Sequence, residues 1–203
     1  EDANVYANYA RGRRPQVLAA SSPSHPIGLL LAGGAAQIGQ PTFSEVDVET
    51  VDSYEVGAKA ALMDRRLRID GAVYFYNYEN FQTTVQQGAE FITANAGEAK
   101  AYGFEGQMNY AVASNFDLFA TYGYNHSRFE AGLYDGNRFR LSPDNMASVG
   151  AVWRLPVAGG VVEVQPTYTW QSEMFFDNDN DRPELQTVAR GAIVADLIQD
   201  EVQ

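Results

Sequence analysis

The sequence predicts an all-β protein: an antiparallel transmembrane β-barrel meander of about 7–8 strands. Three observations predict it. Apolar and polar residues alternate with period 2 through runs of roughly 9–20 residues. Short and long connections alternate along the chain. The two registers of each run also suit two different solvents, one hydrocarbon and one aqueous. Hydrophobic residues make up 45% of the 203, with 12 Tyr and 11 Phe recurring at alternate positions. No run approaches the roughly 18–20 apolar residues of a spanning helix. The longest candidate, Ile27 to Ile38, is broken by Gly33-Gly34.

Taken in order, Asn4–Ala10 and Asp52–Leu62 show the alternation weakly. Leu67–Gln86 shows it best, with Leu67, Ile69, Val73, Phe75 and Phe81 against Arg68, Asp70, Tyr74, Tyr76, Tyr78 and Asn80. Gly103–Val112 sets Phe104, Met108 and Tyr110 against Glu105, Gln107 and Asn109. Phe116–Asn125 sets Phe116, Leu118, Ala120, Tyr122 and Tyr124 against Asp117, Thr121 and Asn125. Ala147–Leu155 and Val161–Gln171 continue it, with Arg154 and Glu163 in the polar register. A helical period of 3.6 fits none of these runs. Residues 187–203 are ambiguous, since Val194, Leu197 and Ile198 have helical spacing.

Met63-Asp64-Arg65-Arg66, Ala113-Ser114-Asn115 and Val157-Ala158-Gly159-Gly160 read as tight hairpin turns. The long connections are expected at about 12–50, 87–94, 131–142 and 173–190. Short turns at one end and long loops at the other are the habit of membrane barrels. The polar register carries Glu55, Lys59, Arg68, Asp70, Glu105, Asp117, Arg154 and Glu163, which an aqueous lumen tolerates. The opposite register is apolar, with Tyr54, Tyr110, Tyr124, Trp153, Tyr168 and Trp170 as an aromatic girdle. A soluble β-sandwich alternates too, but its strands run near 5–6 residues, about half the length seen here.

Composition excludes several functions. The net charge of −12 disfavours nucleic acid as a partner, because binding phosphates needs a concentrated basic face. The absence of cysteine excludes disulfides and thiolate metal sites. His25 and His126 are the only histidines, and no Ser-His-Asp order, H-E-x-x-H or P-loop pattern is present. No catalytic residue and no cofactor are expected. The sequence shows no signal peptide at Glu1, so one was removed or the chain is a piece of something longer.

Several pieces, in order, carry a family resemblance. Val5-Tyr6-Ala7-Asn8-Tyr9-Ala10-Arg11-Gly12 leads into a long loop. Tyr54-Glu55-Val56-Gly57-Ala58-Lys59 contains E-x-G-x-K, and Asn95-x-Gly97-x-Ala99-x-x-x-Gly103-x-Glu105 follows the Tyr/Phe-rich strand. Asn137-Arg138 with Pro143, then Ser172-x-x-Phe175-Phe176-Asp177 with Asn180, complete the set. Together they resemble the β-barrel domain of TonB-dependent outer-membrane receptors over about residues 3 to 186. The resemblance implies a Gram-negative outer membrane and active uptake of a nutrient of the siderophore, cobalamin or carbohydrate class. Its implied partners are membrane lipid and lipopolysaccharide, a plug domain, the TonB complex and a small-molecule nutrient. No plug domain is present in 1–203, and the chain ends Asp200-Glu201-Val202-Gln203 where the family closes on an aromatic residue. The resemblance therefore implies a partial barrel domain over 1–203, about 7–8 strands forming an open, curved part of a larger barrel of roughly 22 strands.

Candidate sites lie in the loops. Arg11, Arg13 and Arg14 offer a grip for a carboxylate or phosphate, of a ligand or of lipopolysaccharide. The apolar stretch Ile27–Ile38 offers a cover for a substrate. Phe175, Phe176 and Asp177 are further ligand candidates. Asp177, Asp179 and Asp181 match the first three ligand positions of an EF-hand loop, but Arg182 and Val188 stand where glycine and a bidentate carboxylate are needed. A solvated acidic loop is the plainer reading. Gly57, Gly71, Gly97, Gly103 and Gly106 sit inside strand patterns, which calls for a bend, a bulge or a close approach. An alternative from another class is a complete small outer-membrane barrel with an enzymatic or structural role, in which His25 or His126 would have to serve.

Overall fold

The chain, seen in a computed structural model that describes residues 2–21, 42–87, 90–182 and 201–202, is built of strands. β1 (Asp2–Arg14) leads to β2 (Val17–Ser21) and β3 (Thr42–Val46), which pair with each other. β4 (Glu49–Leu62) and β5 (Leu67–Glu79) form a long hairpin. A smaller hairpin follows, β6 (Gln82–Gln87) with β7 (Glu90–Asn95). β8 (Ala99–Ala113), β9 (Phe116–Phe129) and β10 (Asn145–Val157) are again long, and β11 (Gly160–Val164) and β12 (Thr167–Gln171) come after them. β13 (Met174–Phe175) pairs with β14 (Glu201–Val202).

The main sheet is antiparallel in the order β1-β4-β5-β8-β9-β10-β11, with β12 also on β10. β11 and β12 hold one register on β10: Trp153 faces Val164 and Gly150 faces Thr167. They are a single strand interrupted at Pro166, which lacks an N–H but accepts one from Ala151 at 3.1 Å. The strand expected over Val161–Gln171 is therefore present, with a proline gap at its middle. Among the described residues β1 pairs with β4 alone, and the sheet they form is not closed.

Directly opposed residues share a face, so the register sorts every side chain. Tyr9, Tyr54, Phe75, Tyr102 and His126 form one cross-strand row on the apolar face. Rows below it bring together Val56, Val73 and Phe104, then Ile69, Met108 and Val149. Phe116 and Trp153 close this face near the short turns. From His126 to Phe116 is about ten residues, or ~33 Å of strand, which projects to roughly 25 Å at the tilt usual for membrane barrels. That equals the apolar band such a barrel presents to lipid. Immediately beyond the aromatic row the same face turns polar, with Arg11, Asp52, Asn77, Lys100 and Arg128 in register.

The short turns cluster at one end. Met63, Asp64 and Arg65 all have positive φ there, and Gly159 (φ 89°) supplies the left-handed position of the Val157–Gly160 turn. At the other end Asn80 (φ 54°) breaks the run expected from Leu67 to Gln86 into β5 and β6. The connection expected over 87–94 is accordingly part of a hairpin arm, not an irregular loop.

On the polar face three aromatic rings lie across directly opposed glycines. A Cβ on Gly57 would sit 2.4 Å from Tyr6 Cζ. One on Gly103 would meet Tyr74 at 2.7 Å and the Tyr124 carbonyl at 1.9 Å, and one on Gly150 would meet Phe119 Cζ at 2.3 Å. These glycines are seats for rings that fold flat along the wall. Gly71 and Gly106 oppose each other on the apolar face, and a Cβ there meets nothing closer than 3.5 Å. Gly103→Ala is therefore expected to cost about 1–3 kcal/mol in urea unfolding of the intact receptor, as overpacked cores do. Gly71→Ala is expected to stay within about 0.5 kcal/mol of wild type, and equal losses at both sites would refute the ring-seat account.

Candidate functional site

The only buried apolar cluster among the described residues lies at the long-loop end. Phe129, Ala96 and Ala99 are almost fully buried there, with Val85 and Tyr134 beside them. Tyr78, Phe81, Ile92 and Phe139 pack around this core. Phe81 meets Phe129 edge-on at 5.4 Å, and Phe139 meets both rings at 4.9 Å. Such aromatic contacts add to the burial of their area. Burial first, then the negative charges of Asp179 and Asp177, hold the Tyr134 hydroxyl above its ordinary range.

Two loops cross over this core backbone to backbone. Gly97 (φ 102°) faces Ala131, and Gly132 (φ 93°) faces Ala96; a Cβ on either would lie 2.3 Å or less from a carbonyl oxygen. This close approach explains the glycine of Asn95-x-Gly97, and Gly132 is its counterpart that sequence reading missed.

Side-chain amides then stand in for missing strand partners. Asn95 accepts the Asp47 N–H (2.7 Å) and donates to the Asp47 and Asn80 carbonyls (3.1 and 2.8 Å). Asn180 does the same for Arg138, accepting its N–H at 2.5 Å and donating to its carbonyl at 3.0 Å. Buried Gln82 donates to the Pro15 and Asp47 carbonyls at 3.0 and 2.8 Å. Asn178 ties three segments: it donates to Thr83 Oγ1 (2.8 Å), accepts from Arg140 N–H (3.2 Å), and its carbonyl accepts from Asn137 Nδ2 (2.8 Å). Arg138 lies over the Phe175 ring at 5.4 Å and pairs with Asp144 at 3.2 Å. Two pieces of the family pattern, Asn137-Arg138 and Ser172–Asn180, are thus docked on each other. The 82–87, 90–95, 130–144 and 172–182 segments form one interlocked platform.

The sequence-derived arginines do not converge. Arg11 grips Asp52 with two hydrogen bonds (2.7 and 2.6 Å), and Asp52 also accepts the Tyr9 hydroxyl at 2.7 Å. Register puts Arg13 on the same face as Arg11 and Arg14 on the opposite one, where Arg14 donates to the Gln82 carbonyl at 3.0 Å. Phe176 is exposed, while Asp177 closes a turn by accepting the Asn180 N–H through its carbonyl. Asp179 accepts the Asp181 N–H at 3.1 Å. Among the described residues no group of three or more acidic or imidazole side chains is placed to hold a metal ion. His126 lies tilted against the Tyr102 ring at 4.9 Å and accepts from Arg128 Nε at 3.1 Å. His25, Ile27–Ile38, Val188 and residues 187–200 lie outside the described residues.

The eight polar-register charges do fall on one face. Glu55, Lys59, Arg68, Asp70, Glu105, Asp117, Arg154 and Glu163 all share it with the ring seats. Near the short turns Arg154 bridges Asp117 (2.6 Å) and Glu163 (3.1 Å). Midway up, a depression of about 510 Å³ is lined by Tyr6, Lys59, Asp70, Glu105, Gln107 and Thr121 among others. Gln107 donates to Asp70 there at 2.8 Å.

Residues 1–197 match the family model described as TonB dependent receptor-like, beta-barrel. The chain belongs to this family. It is an outer-membrane barrel sequence of the Gram-negative type. The probable TonB-dependent siderophore receptor PiuA of Acinetobacter baumannii is 22% identical over 216 residues, covering 92% of this chain and 27% of that protein. The ferrichrome outer membrane transporter/phage receptor of Escherichia coli K12 is 28% identical over 123 residues, 59% of this chain and 16% of that one. Among solved structures, the ferric yersiniabactin uptake receptor FyuA from Yersinia pestis superposes with a TM-score of 0.68 at 19% identity, over 89% of this chain and 25% of that one. That likeness is one of fold. The chain spans at most about a quarter of the length of these relatives.

Asn180→Ala would leave the Arg138 N–H and carbonyl without their partner. Exchange of the Arg138 amide is expected to accelerate about 10- to 100-fold, the equivalent of one or two hydrogen bonds, with sheet amides unchanged. Native protection at Arg138 in that variant would show that Asn180 does not hold the loop.

Proposed function

We propose that the chain is part of the barrel wall of a receptor that captures a scarce nutrient outside the cell and imports it with energy relayed through TonB. The family match over nearly the whole chain carries this reading. The siderophore class is favoured over cobalamin and carbohydrate, because the relatives' printed names concern siderophores. The role is transport without covalent chemistry. The open sheet and the lengths of the relatives support a larger barrel, completed by further strands and filled by a plug.

Within that barrel the charged face lines the lumen and the aromatic row sits at the outer-leaflet boundary, against lipid and lipopolysaccharide. The depression faces the plug. Its lining carboxylates are Asp70 and Glu105, with Lys59 the cation beside them. Such a surface suits a plug segment carrying cationic side chains. The interlocked platform at the long-loop end is the outer surface that meets ligand first.

Deleting the gene for the intact protein is expected to abolish uptake of one ferric siderophore from a panel that also contains cobalamin and oligosaccharides. Complementation should restore uptake only in a strain with functional TonB. Restoration without TonB, or loss of a non-siderophore nutrient alone, would overturn the mechanism or the substrate class respectively.

A further inference from the structure

On the apolar face, the row just beyond the aromatic boundary carries Arg11, Lys100 and Arg128, and only the first is fully paired. Arg11 is closed on Asp52, which also takes the Tyr9 hydroxyl. Lys100 and Arg128 stand directly opposite each other on β8 and β9. Like charges so placed repel and destabilise a strand pair. Lys100 has one relief, Glu130 at 3.1 Å, but both side chains of that pair are 41% exposed. Exposed ion pairs hold weakly. Arg128 has no carboxylate partner among the described residues. Its Nε donates to His126 Nε2 at 3.1 Å and its Nη1 to the Gly136 carbonyl at 2.9 Å. Two neutral acceptors thus fix the guanidinium and leave its charge uncompensated.

Beneath this pair, on the same strands and the same face, runs a column of rings. Tyr102 and His126 meet at 4.9 Å, and Phe104 meets Tyr122 and Tyr124 at 5.5 and 6.0 Å. Tyr102, Phe104 and Tyr122 are 44%, 44% and 41% exposed. Two cations above an exposed aromatic column match an amphiphile with a phosphate at one end and hydrocarbon at the other. A free phosphate would use the cations and leave the rings idle. We propose that Lys100 and Arg128 together hold one phosphate of a phosphorylated glycolipid, the lipopolysaccharide of the outer leaflet, with its acyl chains along the ring column. One phosphate between two opposed cations replaces their repulsion with charge-assisted hydrogen bonds. The grip on phosphate expected of Arg11, Arg13 and Arg14 falls instead to residues of neighbouring strands that only the register brings together. The inference rests on the reading of this face as lipid-facing, with the aromatic row at the outer-leaflet boundary.

The test uses the full-length receptor in detergent, cleared of lipid and titrated with lipid A, the anchor of lipopolysaccharide, while native mass spectrometry counts bound molecules. Wild type is expected to bind bis-phosphorylated lipid A about 10- to 100-fold more tightly than fully dephosphorylated lipid A, the equivalent of hydrogen bonds to a charged group. Lys100→Gln and Arg128→Gln should each weaken binding of the phosphorylated form about 10-fold and leave the dephosphorylated form unchanged. Arg65→Gln, which removes an exposed cation at the short-turn end, should match wild type for both. A phosphate preference that survives in both variants would overturn the site. Its absence in wild type would do so too, and that measurement needs no variant to fold. Equal competition by phosphatidylglycerol or inorganic phosphate would overturn the assignment to lipopolysaccharide. In vesicles, a nitroxide on Phe104→Cys is expected to be relaxed by oxygen. Relaxation by a water-soluble nickel complex instead would overturn the lipid-facing reading, whereas oxygen access without a phosphate preference would overturn the cation site alone.

Discussion

A strand crossing hydrocarbon finds no water to receive a stray N–H or carbonyl, so its backbone must be satisfied by neighbouring strands along its full length. That constraint accounts for most of this molecule. It requires the long ladders of β1, β4, β5, β8, β9 and β10, each 13 to 15 residues. It keeps their registers constant, and the one slip in the pairing of β8 with β9, between Ala111 and Ala113, lies next to the short turn. Constant register then forces side chains to alternate between two solvents. The partition of eight charges to one face and of the aromatic row to the other follows from pairing alone.

At the long-loop end the ladders stop but the need for partners does not. Water is available there, yet the aromatic cluster under Phe129 excludes it from the nearest backbone. Carboxamides take over. Asn95 and Asn180 each offer an acceptor and a donor at the spacing of a peptide group, which lets a loop residue behave as if it had a neighbouring strand. Gly97 and Gly132 allow two loops to touch without side chains between them. The platform is thus an extension of the sheet by other means, and its outer surface can vary while its underside stays satisfied.

Much of this was legible in the sequence, and the boundary of legibility is physical. Period-2 alternation is local, so the faces of β4, β5, β8 and β9 and the two ends of the sheet could be assigned from residues alone. The split at Asn80 could not, because a left-handed backbone at one asparagine leaves the alternation on either side intact. Gly57 and Gly103 stood out as glycines inside strands, but the rings that need them sit on the preceding strand and only the register brings them opposite. The carboxamide partners lie further off still: Asn178 and Thr83 are 95 residues apart. Arg11, Arg13 and Arg14 show what closeness in sequence leaves open. They are adjacent in sequence, but alternation sends Arg14 to the other face, and Asp52 from β4 engages Arg11.

The ring seats connect the scaffold to its use. Full-length aromatic side chains standing up from the polar face would obstruct the space in front of it. Folding each ring onto a glycine of the next strand removes that obstruction and keeps the apolar ring area covered on a wet face. It also brings each hydroxyl to the strand beyond its own or along the same strand pair. A seat is structural alone where the ring carries no hydroxyl, as with Phe119, and engages a neighbouring group where it does, as with Tyr74 at Asn125 Oδ1. In Glu55-x-Gly57 and Gly103-x-Glu105 the glycine receives a ring and the glutamate two positions away stands on the same face, so the ring seats and the charge of this face are set by the same few positions.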